Sequence, residues 1–118
     1  MSMNTDAIRH FLHTQVACWN AGDRDGFLAA YRAAAAGGLA IEYVGRPATD
    51  GWPVLDAMWE RQNAAIEIEE VTLIVNGAEA ACHNRNRSRR DGTVIDTIEL
   101  YRFEPDGRLL VRYFIRHG

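Results

Sequence analysis

Apolar residues recur at Ile8, Phe11, Leu12, Val16 and Trp19, with polar residues between them. That three-to-four spacing is one face of a helix, and it predicts a first helix over Thr5–Trp19. Asn4 or Thr5 can cap it, and Gln15 lies on the same inward stripe as Phe11 and Trp19. Asn20-Ala21-Gly22 ends it. Asp23 caps a short second helix carrying Phe27, Leu28 and Tyr31, which runs through Ala33–Ala36 to Gly37-Gly38. Leu39–Val44 reads as a strand, broken by Gly45, Arg46 and Pro47. A third helix follows, capped by Asp50, with Pro53 tolerated in its first turn and Leu55, Met58, Trp59 and Gln62 facing inward.

From Ile66 the period changes from about 3.6 to two. Asn76-Gly77, Asp91-Gly92 and Pro105-Asp106-Gly107 are turn signals about 15 residues apart, so they separate four strands of an antiparallel meander. Two-residue loops at the first two turns and a four-residue loop at the third give a register. It sets Val75 against Ala78, Asn84 against Glu99, Arg87 against Asp96, and Glu99 against Arg112. One face then carries Val71, Ala80, Cys82, Asn84, Thr97, Glu99, Tyr101, Leu110, Arg112 and Phe114. The other carries Ile66, Ile68, Glu70, Ile98, Leu100, Val111, Tyr113 and Ile115 beside the arginines. Both faces are apolar enough to need cover: helices on one side and, most simply, a second copy of the chain on the other.

The length of 118 residues and a 47% apolar, 25% charged composition fit a single globular domain over residues 1–118. A net charge of -3 argues against a nucleic-acid partner, and the run His83–Arg90 alternates between faces rather than forming one basic patch. No apolar run approaches the roughly 20 residues that span a bilayer, so no membrane partner is expected. The start MSMNTDAIRH has no apolar signal core, and Cys18 and Cys82 form no disulfide framework. A cytoplasmic location with free thiols is therefore expected. His10, His13 and His117 have no spaced companion ligands, so no metal is expected.

The segment Trp19-Asn20-Ala21-Gly22-Asp23, with Phe27, Leu28 and Tyr31 behind it, resembles the helical opening of the nuclear-transport-factor-2-like superfamily, which includes SnoaL-like cyclases and ketosteroid isomerase. Gly51–Trp59 resembles its third helix. Ile98–Phe103, Asp106–Leu109 and Tyr113-Phe114 resemble its last hairpin. The resemblance implies an α+β fold: a cone-like curved antiparallel sheet wrapped by three N-terminal helices, of the cystatin-like α+β barrel type. It also implies an apolar small-molecule pocket, no cofactor, and a homodimer through the convex sheet face. Laid over ketosteroid isomerase, where one carboxylate is the base and a protonated carboxyl helps to hold the oxyanion, the resemblance puts Glu42 and Glu99 in the catalytic positions. Gln15 and Trp59 then fall where tyrosines stand. Asn84, Tyr101, Arg112 and Phe114 complete the expected ligand-binding set.

The expected chemistry is a cofactor-free proton transfer, by an isomerase or cyclase, on an apolar and even polycyclic carbonyl compound. Glu42 would abstract the proton. Two other readings stand beside it. In one, a Glu99–Arg112 ion pair sits in a non-catalytic module that binds an acidic or apolar ligand. In the other, the protein is a dimeric interaction scaffold. Arg112 beside Glu99 would favour the ionised carboxylate.

Overall fold

The computed structural model describes residues 3–116; His117 lies outside them. Helix α1 spans Thr5–Ala21, with Asn4 as its cap: the Asn4 side-chain oxygen Oδ1 accepts from the Ala7 amide at 2.8 Å. Gly22 (φ 72°) turns the chain out in the left-handed region, where a side chain would be strained. Helix α2 spans Arg24–Ala34, capped by the Asp23 carboxylate, which accepts from the Gly26 amide at 2.9 Å. Helix α3 spans Gly51–Gln62; Asp50 holds its cap position without a side-chain capping bond, a correction to the expected role.

Strands β1 (Gly38–Tyr43), β2 (Thr49–Asp50), β3 (Ile66–Asn76), β4 (Glu79–Ser88), β5 (Val94–Phe103) and β6 (Arg108–Ile115) form one curved, unclosed sheet in the order β2-β1-β6-β5-β4-β3. The four-strand meander is as expected. Strand β1 joins it parallel to β6, with Ile41 beside Val111. The fold class is therefore the expected α+β one, three helices on a curved sheet. Leu39, Ile41, Leu109, Val111, Tyr101 and Phe103 from the concave face pack against Ile8, Phe11, Leu12, Phe27 and Tyr31 of the helices.

The register departs from expectation at each turn, and the size of each departure decides its effect. At the first two turns the pairs slide by two residues: Val75 meets Ala80, and Cys82 meets Glu99 while Asn84 meets Thr97. A slide of two keeps every side chain on its face, because the strand period is two. Arg85 rather than Arg87 then stands opposite Asp96. The third turn is a three-residue loop, Pro105–Gly107, closed by the Glu104 amide on the Arg108 carbonyl at 2.8 Å, with Gly107 at φ 89°. One residue fewer than expected inverts all of β6. Tyr113 now pairs with Glu99, and Arg112 pairs with Leu100 on the convex face.

A bulge at Val71 makes the fourth change. The pairing jumps between Glu70 and Thr72, so Ile66, Ile68 and Glu70 move onto the concave face, opposite to the expectation for an unbroken strand. Glu70 there accepts a bond from His13 of α1 at 2.9 Å.

Strand β3 is a sheet edge, and its polar backbone needs partners. Asn20 supplies them. Its amide nitrogen donates to the Ile68 carbonyl at 2.8 Å, and its amide oxygen accepts from the Ile68 N–H at 2.8 Å. Trp19 Nε1 donates to the Ile66 carbonyl at 3.0 Å. The Trp-Asn pair thus stands in for a missing neighbouring strand. Asn20→Ala leaves two part-buried backbone groups unpaired and should cost about 1–3 kcal/mol. Urea unfolding measures the loss, and amide exchange at Ile68 should quicken; an unchanged Ile68 exchange rate would mean that the clamp contributes nothing.

Candidate functional site

The concave face and the three helices enclose a partly open cavity of about 170 Å³. Trp19, Phe27, Tyr31, Tyr43, Met58, Ile66, Ile68 and Tyr113 give it apolar walls, and Gln15, Asn84, Asn86, Thr97 and Glu99 supply its polar groups. Gln62, Ile95 and Ile115 stand at the exposed end. The bulge at Val71 is what brings Ile66 and Ile68 into the wall, and the short third turn is what brings in Tyr113.

Glu99 sits at the centre of the polar group, 7% exposed. Tyr101 donates to Oε1 at 2.7 Å, while Thr97 at 3.0 Å and Asn84 at 3.2 Å donate to Oε2. Asn86 in turn donates to the Thr97 hydroxyl at 3.1 Å, which orients it. Burial pushes the Glu99 carboxyl above its usual range, and the bonds from Tyr101, Thr97 and Asn84 pull partly against that. Burial, then the Glu99 charge, holds Tyr101 well above the ordinary phenol value. Burial, then the neighbouring Tyr31 and Glu99, does the same for Tyr113. The Cys82 thiol is pushed up to about 12 by burial and by Glu99, so it is an inert neutral group rather than a nucleophile.

Of the residues singled out in the sequence, the structure brings Gln15, Asn84 and Glu99 to the cavity. Tyr101 touches Glu99 from the core side. Trp59 stands one layer behind the wall, with its ring 5.3 Å from Trp19 and 5.2 Å from Phe27. Glu42, Arg112 and Phe114 are elsewhere. Strand β1 turns Ile41 and Tyr43 inward and Glu42 outward, where Glu42 accepts from Arg112 Nε at 3.2 Å and Nη2 at 3.3 Å. The Arg112 guanidinium lies 5.3 Å above the Phe114 ring on the same convex face. The expected Glu99–Arg112 pair is thus replaced by a Glu42–Arg112 pair on the opposite side of the sheet, because β6 is inverted. The expected second carboxylate in the cavity is replaced by none among the described residues. The sequence reasoning left most of the apolar wall out of its site, Trp19, Phe27, Tyr31, Tyr43 and Tyr113 among it, and of the polar groups it left out Asn86 and Thr97. Thr97 carried a signal, its i−2 position beside Glu99; Tyr113 carried none until the third turn was known.

No protein-family model matches the sequence, and no curated protein sequence matches it. Solved structures do match. An NTF2-like protein of unknown function from Burkholderia xenovorans LB400 superposes with a TM-score of 0.76 at 13% identity, over 99% of this chain and 88% of that one. A SnoaL-like protein of unknown function from Burkholderia thailandensis E264 gives 0.69 at 17%, over 98% and 99%. A protein with a cystatin-like fold from Methylobium petroleophilum PM1 gives 0.73 at 17%, over 100% and 81%. The chain has the nuclear-transport-factor-2-like fold. Within this fold the cavity lies between the helices and the concave sheet. Likeness at such identities carries the fold and not the chemistry.

The convex face of the NTF2-like sheet is only partly covered by its own polar groups. Ile74 is 63% exposed, and Ile98 and Phe114 are also exposed there. Among them, His83 Nε2 lies 2.8 Å from Asp96 Oδ1, with Arg85 and Arg116 at 3.8 and 3.7 Å from the same carboxylate. Hydrogen bonding to His83 and the two arginine charges hold Asp96 below the usual carboxylate range. Among the described residues no helix is long and apolar enough to cross a membrane.

Proposed function

We propose that the protein is a cofactor-free proton-transfer enzyme, an isomerase or cyclase, acting on a small carbonyl compound bound in the concave cavity. The observation that carries this reading is Glu99: a buried carboxyl facing an apolar cavity, with its oxygens oriented by Tyr101, Thr97 and Asn84 and with no cationic partner among the described residues. Burial that raises a carboxyl toward neutrality is how a glutamate becomes an effective general base or acid. Gln15 and Asn84 carry amide N–H groups on the same cavity, suited to a developing oxyanion. The sequence contains no lysine, so imine formation on a lysine side chain is not available.

The volume restricts the substrate. About 170 Å³ is close to the roughly 150 Å³ of an engineered cavity that holds benzene, and well below the roughly 300–1,000 Å³ of sites for drug-sized ligands. A single-ring or short-chain carbonyl compound fits better than the polycyclic one expected from the sequence. Exchange of the α-protons of small cyclic ketones with D2O tests the reading. Glu42→Gln should keep the activity, since Glu42 is spent on Arg112 outside the cavity, and Glu99→Gln should remove it. Activity that persists in Glu99→Gln takes Glu99 out of the mechanism. A non-catalytic binding module is the second reading. It is favoured by the fact that both Glu99 oxygens already accept hydrogen bonds, and it predicts binding of such ketones with no exchange in either variant.

The assembly proposed with this function is a homodimer through the convex face, where Ile74, Ile98 and Phe114 are exposed. Charges of both signs, from Arg85 and Asp96, lie on that face, as a self-complementary two-fold contact requires. Phe114→Glu should shift the chain to monomer in analytical ultracentrifugation. A wild-type protein that sediments as monomer at about 100 μM would end the proposal.

A further inference from the structure

The cavity lining is unbalanced in charge. It contains one carboxyl, Glu99, and no arginine or histidine side chain. Arg112, the arginine expected beside Glu99, is bonded to Glu42 on the other side of the sheet. The titratable groups that act on Glu99 or share its surroundings are the hydroxyls of Tyr31 on α2, Tyr43 on β1, Tyr101 on β5 and Tyr113 on β6, with the Cys82 thiol on β4. Glu70 on β3 acts on Cys82 and is engaged with His13. None of these supplies a positive charge to Glu99. The remaining cavity walls include five aromatic side chains, Trp19, Phe27, Tyr31, Tyr43 and Tyr113, around one small space.

A buried carboxylate without a counter-ion and a ring of aromatic faces favour the same kind of guest. The carboxylate gains a charge-assisted hydrogen bond from an ammonium, and aromatic faces attract a cation within about 6 Å. An anion meets the opposite: the Glu99 charge in a low-dielectric space, and no arginine to offset it. We propose that the Glu99 cavity is a site for a small organic cation, a molecule of about one ring bearing a protonated amine, and that it rejects the matching carboxylate. The ammonium stands against Glu99 on the side away from Tyr101. The apolar part lies among Trp19, Phe27 and Tyr31, and the Gln15 or Asn86 amide oxygen takes a second ammonium hydrogen. This rests on the reading that the concave cavity is the ligand site. It replaces the acidic ligand expected from the sequence, which depended on Arg112 being in the cavity.

Benzylamine, benzyl alcohol and benzoate share a ring size that suits the volume, and they differ in charge. Each is titrated calorimetrically into the 118-residue chain at pH 8. Saturable one-to-one binding of benzylamine, about tenfold or more tighter than benzyl alcohol, with no heat from benzoate, is the expected result. Binding should weaken as pH falls toward 4 and Glu99 takes a proton, because the benzylammonium charge does not change over that range. Glu99→Gln should cut benzylamine binding by about tenfold and leave benzyl alcohol unchanged. Equal binding of alcohol and amine, binding of benzoate, benzylamine binding indifferent to pH, or no binding of any of the three overturns the proposal. The pH series uses the unmodified protein, so a poorly folded variant does not stop the test. Failure here leaves the ketone exchange assay untouched, since that assay reads turnover of a neutral compound.

Discussion

Glu99→Gln is expected to slow proton transfer on a small ketone by about 10²–10⁴-fold, the usual contribution of a positioned general base. The substitution keeps the volume and an acceptor oxygen for Tyr101 or Thr97, so the fold should persist. The wild-type rate should rise with pH through the raised Glu99 value, because the base works in its ionised form. A rate that falls over the same range would assign Glu99 the acid's part instead. Stability should move the other way. The folded-state value of Glu99 lies above that of an unfolded glutamate, about 4.3. As pH rises from there, the unfolded chain releases its proton first, the folded state binds more protons, and unfolding becomes easier. This loss begins near the unfolded value and is complete above the folded one. Glu99→Gln has no such loss. The melting temperature of the variant relative to wild type should therefore increase as pH rises from the unfolded glutamate value through the raised folded one. A constant difference would show that the carboxyl is not raised.

Trp19→Ala should be the most damaging single truncation outside the polar group. Trp19 is 2% exposed, packs edge-on to Trp59 at 5.3 Å and tilted on Phe27 at 5.6 Å, and its Nε1 donates to the Ile66 carbonyl. Removing a large aromatic from such a site costs about 3–5 kcal/mol, a major share of the roughly 5–15 kcal/mol that holds a domain together. The cavity wall and the Trp19 bond of the clamp on β3 are lost together. Calorimetry should show either no cooperative transition or one lowered by tens of degrees. A melting temperature within about 5 °C of wild type would mean that the Trp19–Phe27–Trp59 cluster repacks freely.

Helices and strands were legible because their signals are local. The stripe from Ile8 to Trp19, the caps at Asn4 and Asp23 and the three glycine turns each state their element within a few residues. The composition of the concave face was legible for β4 and β5, where the errors were slides of two. It failed for β6 because a three-residue and a four-residue loop are equally compatible with Pro105-Asp106-Gly107. That one-residue choice moved Arg112 out and Tyr113 in. It failed for the first half of β3 because nothing in the run Glu69-Glu70-Val71-Thr72 marks a bulge. Glu42 failed for a different reason. Its neighbours Ile41 and Tyr43 take the inward positions of β1, so alternation sends it outward whatever its likeness to a catalytic position. Glu99, between Thr97 and Tyr101 on one face, was legible from period two alone.

The bulge at Val71 makes β3 two strands in opposite phase sharing one backbone. The side chain of Val71 is dispensable, since it is 39% exposed and Val71→Ala removes little. The residue as a length of chain is also dispensable. Its deletion would join Glu70, opposite Asn84, directly to Thr72, opposite His83, in an unbroken ladder, with Ile66 and Ile68 still facing Ser88 and Asn86 in the cavity wall. What the strand does not tolerate is straightening at its present length, so related chains that keep the pocket should carry either the bulge residue with its kink or one residue fewer at this point.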